Sequence, residues 1–209
     1  ANANEVKPNL SSFEELEIIF NGASKLDFSN VADMSEINIL SSLSPISFDN
    51  IPFDISEVNV FGTHIGDWIL NFEQNASATP NIYWSNNTGT ANTVASLLFD
   101  EIKTLTITSD GSDNVAISAL TVDNDDTTAI SLTNTDDGDL IISAGADISS
   151  GSSLTAITLI STEGGDIALG SSTGNFGITD ATKLSTIVLN ASETGNIDIG
   201  NLGSSSAIE

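Results

Sequence analysis

Hydrophobic residues in this chain recur in pairs of the form apolar–x–apolar, and a second such pair usually ends ten residues after the first. The closing residues of the first pairs are Ile18, Ile39, Val60, Trp84, Ile107, Leu132, Leu159 and Leu189. Their intervals are 21, 21, 24, 23, 25, 27 and 30 residues. Ten residues on stand Phe28, Leu70, Val94, Ile117, Ile142, Leu169 and Ile199, with Phe48 one residue early. The residues two before each first anchor (Leu16, Ile37, Val58, Ile82, Leu105, Ile130, Ile157, Ile187) are all apolar, and those between are mostly polar. Alternation of period two, rich in β-branched residues, predicts strands with one buried face. Only 10–20 and 93–103 are ambiguous enough to allow a short helix.

Strands repeating every 20–30 residues cannot bury their faces singly and must stack as a solenoid. The fold expected is all-β: a single parallel β-helix of about eight coils, 21–30 residues each, roughly three-sided. Eight rungs at the ~4.8 Å strand spacing make a rod on the order of 40 Å long. Two firm strands supply two sides. A looser apolar patch, such as Phe53, Leu120/Val122, Ile148 or Phe176/Ile178, supplies the third. The growth in coil length is assigned to that third side. Residues 1–9 read as a leader or linker and 10–209 as the solenoid, with further coils or another chain expected beyond the last rung, because an uncapped rung invites pairing. A leucine-rich-repeat horseshoe, which LxxIxL at 154–159 and 184–189 would fit, is disfavoured by the second strand in every coil.

Charge narrows the function. Four lysines, no arginine and 29 acids give a net charge of −25. Binding to nucleic acid needs cations to neutralise phosphates, so that class is excluded, as are anionic membrane surfaces. No apolar run reaches the ~20 residues of a membrane helix, so membrane insertion is not expected. The absence of cysteine removes disulfides, thiolate zinc sites and thiol nucleophiles. The chain opens at Ala1 without a signal peptide, which points to a processed or partial sequence.

The corner before the second strand carries the sharpest motif: Gly66-Asp67, Gly138-Asp139, Gly165-Asp166 and Gly195-Asn196, with Asp113-Asn114 in the same place. Glycine permits the positive φ of a tight corner, and the Asp or Asn can bond the turn backbone, stacking as a ladder. The alternative is calcium held between neighbouring corners, for which Asp136, Asp137, Asp139, Glu163 and Asp166 form the best cluster. Asp123, Asp125 and Asp126 form a second, without the Gly and closing Glu of an EF-hand loop. His64, the sole histidine, reads as structural, and Trp68 and Trp84 read as core. On the outward face of the second strand, Ile69, Ala116, Ile141 and Ala168 form an apolar stripe suited to assembly.

Residues 100–120 and 181–200 (ATKLSTIVLNASETGNIDIG) resemble the Ser/Thr/Asn/Asp-rich β-solenoid regions of Gram-negative S-layer proteins and large type I-secreted, RTX-type surface adhesins. The resemblance implies an extracellular, cell-surface protein with calcium as its cofactor. It implies self-association, or other surface-layer components, as partners. The glycine-rich calcium nonapeptide of those families is absent here. No catalytic constellation stands out, so the chain is not expected to be an enzyme. The runner-up is a carbohydrate-active β-helix acting on or binding cell-surface polysaccharide. Lyases of that fold typically use Arg or Lys as base, and this chain has no Arg and no Lys cluster.

Overall fold

The computed structural model describes residues 4–11, 14–73, 78–85, 88–123, 126–143, 147–148, 153–170, 175–178 and 183–204. They form an all-β solenoid of parallel strands with no helix. Both ambiguous segments became strands, Glu15–Phe20 and Asn92–Asp100, because neighbouring rungs offer pairing along their whole length.

The first sheet stacks eight strands: Glu15–Phe20, Glu36–Ser42, Glu57–Phe61, Asn81–Ser85, Thr104–Asp110, Ala129–Asn134, Ala156–Ser161 and Thr186–Ala191. The second runs through Asn4–Val6, Ser24–Asp27, Ile46–Ile51, Ile65–Phe72, Asn92–Asp100, Val115–Ile117, Leu140–Ile142, Ile167–Leu169 and Ile197–Ile199. Asn4–Val6 therefore belongs to a sheet, and the leader expected at 1–9 contributes a rung.

The three-sided coil is only partly realised. Strand Asn92–Asp100 pairs with Ile65–Phe72 on one edge and with two separate strands, Val115–Ile117 and Leu120–Asp123, on the other. One long side therefore forks into two at the bend 118–119. Beyond the fork a small third sheet joins Asp147–Ile148, Asn175–Ile178 and Asn201–Ser204. Before it the third side is mostly short links, with one two-stranded pair, Leu10–Ser11 and Val31–Ala32. The first sheet has one strand for each of the eight coils expected, while the solenoid amounts to about five turns.

The fork is also a seam in register. The ten-residue ruler would align Trp84 with Ile107, but Ile82 pairs with Ile107 and Trp84 with Ser109. A two-residue slip keeps every inward residue inward, so the apolar pattern cannot detect it. In the second sheet the ruler aligns Leu70 with Val94, whereas Leu70 pairs with Phe99 and a bulge between Val94 and Ser96 restores the facing. Past the seam the ruler holds: Leu105–Ile130–Ile157–Ile187 and Ile117–Ile142–Leu169–Ile199 are true columns.

The core fills the space between the sheets. Phe28, Phe48, Phe72 and Phe99 are fully buried, and Trp68 and Trp84 stack with centroids 5.5 Å apart at the seam. The sheets do not finish alike. Strand Thr186–Ala191, at one edge of the first sheet, is exposed along its whole length, and its inward Ile187 and Leu189 are solvent-facing.

Candidate functional site

The corner between first and second strands is the most regular feature of the surface. Past the seam it spans five residues: 135–139, 162–166 and 192–196. The backbone N–H of Asp139 donates to Asn114 Oδ1 at 2.9 Å, that of Asp166 to Asp139 Oδ1 at 2.9 Å, and that of Asn196 to Asp166 Oδ1 at 2.8 Å. Each side chain thus satisfies a backbone donor on the next rung, where the coil turns and the sheet ladder is interrupted. Main-chain bonds run alongside, for example Leu140 N–H to the Asp166 carbonyl at 2.9 Å.

The glycines of this corner work differently from the expectation. Of the four, only Gly66 has positive φ, at 100°. In the corners at 162–166 and 192–196 the left-handed residues are Glu163 (φ 69°) and Glu193 (φ 60°), two before the glycine. Gly165 is required by close approach: a Cβ there would lie 2.3 Å from the Gly138 carbonyl oxygen and 2.5 Å from that of Asp136. Only glycine lets successive corners nest at strand spacing.

A polar column lies just inside this corner, one the apolar ruler missed. Ser109, Asn134 and Ser161 are adjacent in register and buried. Asn134 Nδ2 donates to the Gly138 carbonyl at 2.7 Å, and Ser161 Oγ to the Gly165 carbonyl at 2.6 Å. Each braces its own corner from within. The signal was present as a polar residue two after each inward pair past the seam: LTITS, ISLTN and ITLIS. Hydroxyl ladders flank the same strands, with Thr155 Oγ1 donating to the Thr128 carbonyl at 3.0 Å and Thr162 Oγ1 to that of Asn134 at 3.3 Å. Past the seam, these Ser, Thr, Asn and Asp side chains thus serve as rung-to-rung wiring.

The acids singled out for calcium divide. Asp139 is engaged through both oxygens, Oδ1 by the Asp166 amide and Oδ2 by Asn114 Nδ2 at 3.2 Å. Asp166 Oδ1 receives both the amide and the side chain of Asn196. Asp136 Oδ1 accepts from the Asp137 amide at 2.7 Å, and Asp137 and Glu163 are exposed. Among the described residues no three His, Asp or Glu side chains converge as a metal would need. Of the second cluster, Asp123 ends a strand, Asp126 is exposed, and Asp125 lies outside the described residues.

No family model, curated protein or solved structure matches this chain.

The apolar stripe is real in part and displaced in part. Ala116, Ile141 and Ala168 are successive partners in one outward column. The seam removes Ile69 from it: Thr93 and Ile65 continue the column, while Ile69 stands between Ser47 and Leu98 in the next one. Ile65 (43% exposed) and Ile69 (40% exposed) are both open to solvent. Asp198 closes the column at the far end.

Tyr83 is outward as expected and donates to Asp110. Near the N-terminus, the buried Asp27 accepts from Lys7, the Ser29 amide and Asn50 Nδ2, which together hold its carboxyl well below the usual range. Lys25 pairs with Asp49. A groove of about 590 Å³ is lined by Asn50, Asn71, Phe72, Glu73, Asp100 and Glu101. Asn50 and Glu101 both turn left-handed there, at φ 53° and 59°.

Proposed function

We propose that this chain is a structural module of a cell-surface assembly, an S-layer, filament or adhesin subunit, that acts outside the cell by associating with copies of itself or with other surface-layer components. The observation that carries this reading is the in-register column Ala116–Ile141–Ala168. It is an outward surface without charge on a molecule of net charge −25. Repulsion between such molecules is large at low salt, so contacts are favoured where no carboxylate must be desolvated. The polar residues of the corners past the seam are spent on rung-to-rung ladders, which supports a scaffold reading. Calcium enters this reading as a shared counterion along the exposed corner acids Asp137 and Glu163 with the half-buried Asp136 beside them, since Asp139 and Asp166 are committed to the ladder.

The acidic groove beside Glu73, Asp100 and Glu101 favours one other reading, a polysaccharide-binding or polysaccharide-cleaving β-helix. Sedimentation velocity with calcium, then with EGTA, separates the two. The scaffold reading expects larger species with calcium that revert to monomer with EGTA. A calcium-indifferent monomer that shortens polysaccharide would overturn it.

A further inference from the structure

We propose that His64 is an acid-operated latch: protonation of its buried ring opens the corner joining strands Glu57–Phe61 and Ile65–Phe72, at the seam where the coil forks. Three contacts hold the residue. Its backbone N–H donates to Asn92 Oδ1 at 2.6 Å, tying the corner to the strand that forks. Its Nε2 lies 2.6 Å from the Phe61 carbonyl, an acceptor, so the ring proton sits on Nε2 and Nδ1 is left as a bare acceptor. Its ring meets Trp68 edge to face, with centroids 5.0 Å apart.

The residue is fully buried, and Nδ1 has no hydrogen-bond partner. The other unpartnered buried polar atoms at the seam are the N–H donors Trp68 Nε1, Trp84 Nε1 and Asn92 Nδ2, and the hydroxyl Ser109 Oγ, on the residue paired with Trp84. A neutral ring is tolerated among them. A second proton, on Nδ1, would create a buried cation, with the new donor at an atom that has no hydrogen-bond partner.

Among the described residues no charged side chain acts on the ring to offset this. On Ile65–Phe72 the carboxylate is Asp67, exposed and accepting from Ser96 Oγ at 2.8 Å. On Asn92–Asp100 it is Asp100, on Glu57–Phe61 it is Glu57, and on Glu36–Ser42, whose Ser42 bridges His64, it is Glu36, each at the far end of its strand from the histidine. Strand Asn81–Ser85 and the corner at 43–45 carry none. Burial dominates over the Phe61 carbonyl and pushes the imidazole down from 6.5 to about 4. The unfolded chain therefore takes up the proton first. The histidine's contribution to folding is full above pH ~6.5 and is lost as pH falls toward about 4, a change in the folding equilibrium on the order of 100-fold.

The sequence offers clean probes: one histidine and two tryptophans, both at the seam. The test is an NMR titration of the imidazole from pH 7.5 to 3.5, with tryptophan emission and amide hydrogen exchange followed in parallel, on the wild type and on His64→Gln. Glutamine keeps a donor for the Phe61 carbonyl but does not titrate. The expected result is an imidazole midpoint well below 6.5. Emission should shift at that midpoint, and the amides around 62–68 and 92–94 should exchange at least tenfold faster relative to those of 157–169. The glutamine variant should be flat over the same range. An imidazole that titrates near 6.5, or titrates low without any change in emission or exchange, overturns the latch. So does a glutamine variant that shifts like the wild type, because the carboxylates would then be the cause. Should the variant fail to fold, the wild-type readings decide alone.

Discussion

At the scale of single residues, the corner separates two roles that one aspartate could play. Asp166 as a ladder acceptor needs only an oxygen at Oδ1. Asp166→Asn should therefore fold within about 0.5 kcal/mol of wild type, whereas Asp166→Ala, which orphans the Asn196 amide, should lose about 1–2 kcal/mol by urea denaturation. Equal losses in the two variants would mean that the charge is what matters there. Gly165→Ala should cost about 2–3 kcal/mol or more, because its Cβ would meet carbonyl oxygens of the rung below. Gly22→Ala, with nothing within 4 Å of the new Cβ, should be nearly neutral in the same assay. Asp27 adds a pH signature. Its carboxyl is held low by Lys7, the Ser29 amide and Asn50, so its contribution is present above the unfolded value near ~3.9 and fades as pH falls below it. The stability gap between wild type and Asp27→Ala should accordingly narrow in acid.

At the scale of elements, the strands were legible because their inward residues alternate with polar ones over eight first-sheet strands. Their register was legible only past the seam. There Leu132 to Ile142, Leu159 to Leu169 and Leu189 to Ile199 keep a five-residue corner fixed between strands. At the seam a slip of two residues leaves the in–out pattern unchanged, so no reading of polarity can see it. The bulge near Ala95 hides the second offset in the same way. The glycines were recognised as corner residues, but the nesting that requires Gly165 lies between rungs and leaves no mark on a single coil. The seam should be costly to empty. Trp84→Ala removes half of the Trp68–Trp84 stack beside the small Ser109 and should cost about 3–5 kcal/mol, read as a lower urea midpoint. A value under about 1 kcal/mol would mean that the two indoles do not fill the fork.

At the scale of the whole molecule, the surface is organised by the same stacking that forms the core. Where the register holds, stacking can carry one chemistry along several rungs, as in the uncharged line Ala116, Ile141 and Ala168. The register at the seam decides which residues share those lines. It removes Ile69 from the column of Ala116, Ile141 and Ala168, puts Ile65 there instead, and brings His64 against the strand that forks. Ile141→Lys should suppress association seen by light scattering without altering the melting midpoint by more than a degree or two, since its side chain faces outward. Assembly that survives the lysine would move the contact to another face.

The chain has no cysteine, so paired substitutions can test the seam register on a clean background. Ile69→Cys with Leu98→Cys places two outward thiols on directly paired residues, within reach of a disulfide. Ile69→Cys with Thr93→Cys is the pair that an unbroken ten-residue ruler would align, and here it is offset by four residues because Thr93 pairs with Ile65. Mild oxidation of monomeric protein should close the first pair rapidly and leave the second open. Ready closure of the 69–93 pair, with the 69–98 pair remaining reduced, would contradict the fork and everything placed by it.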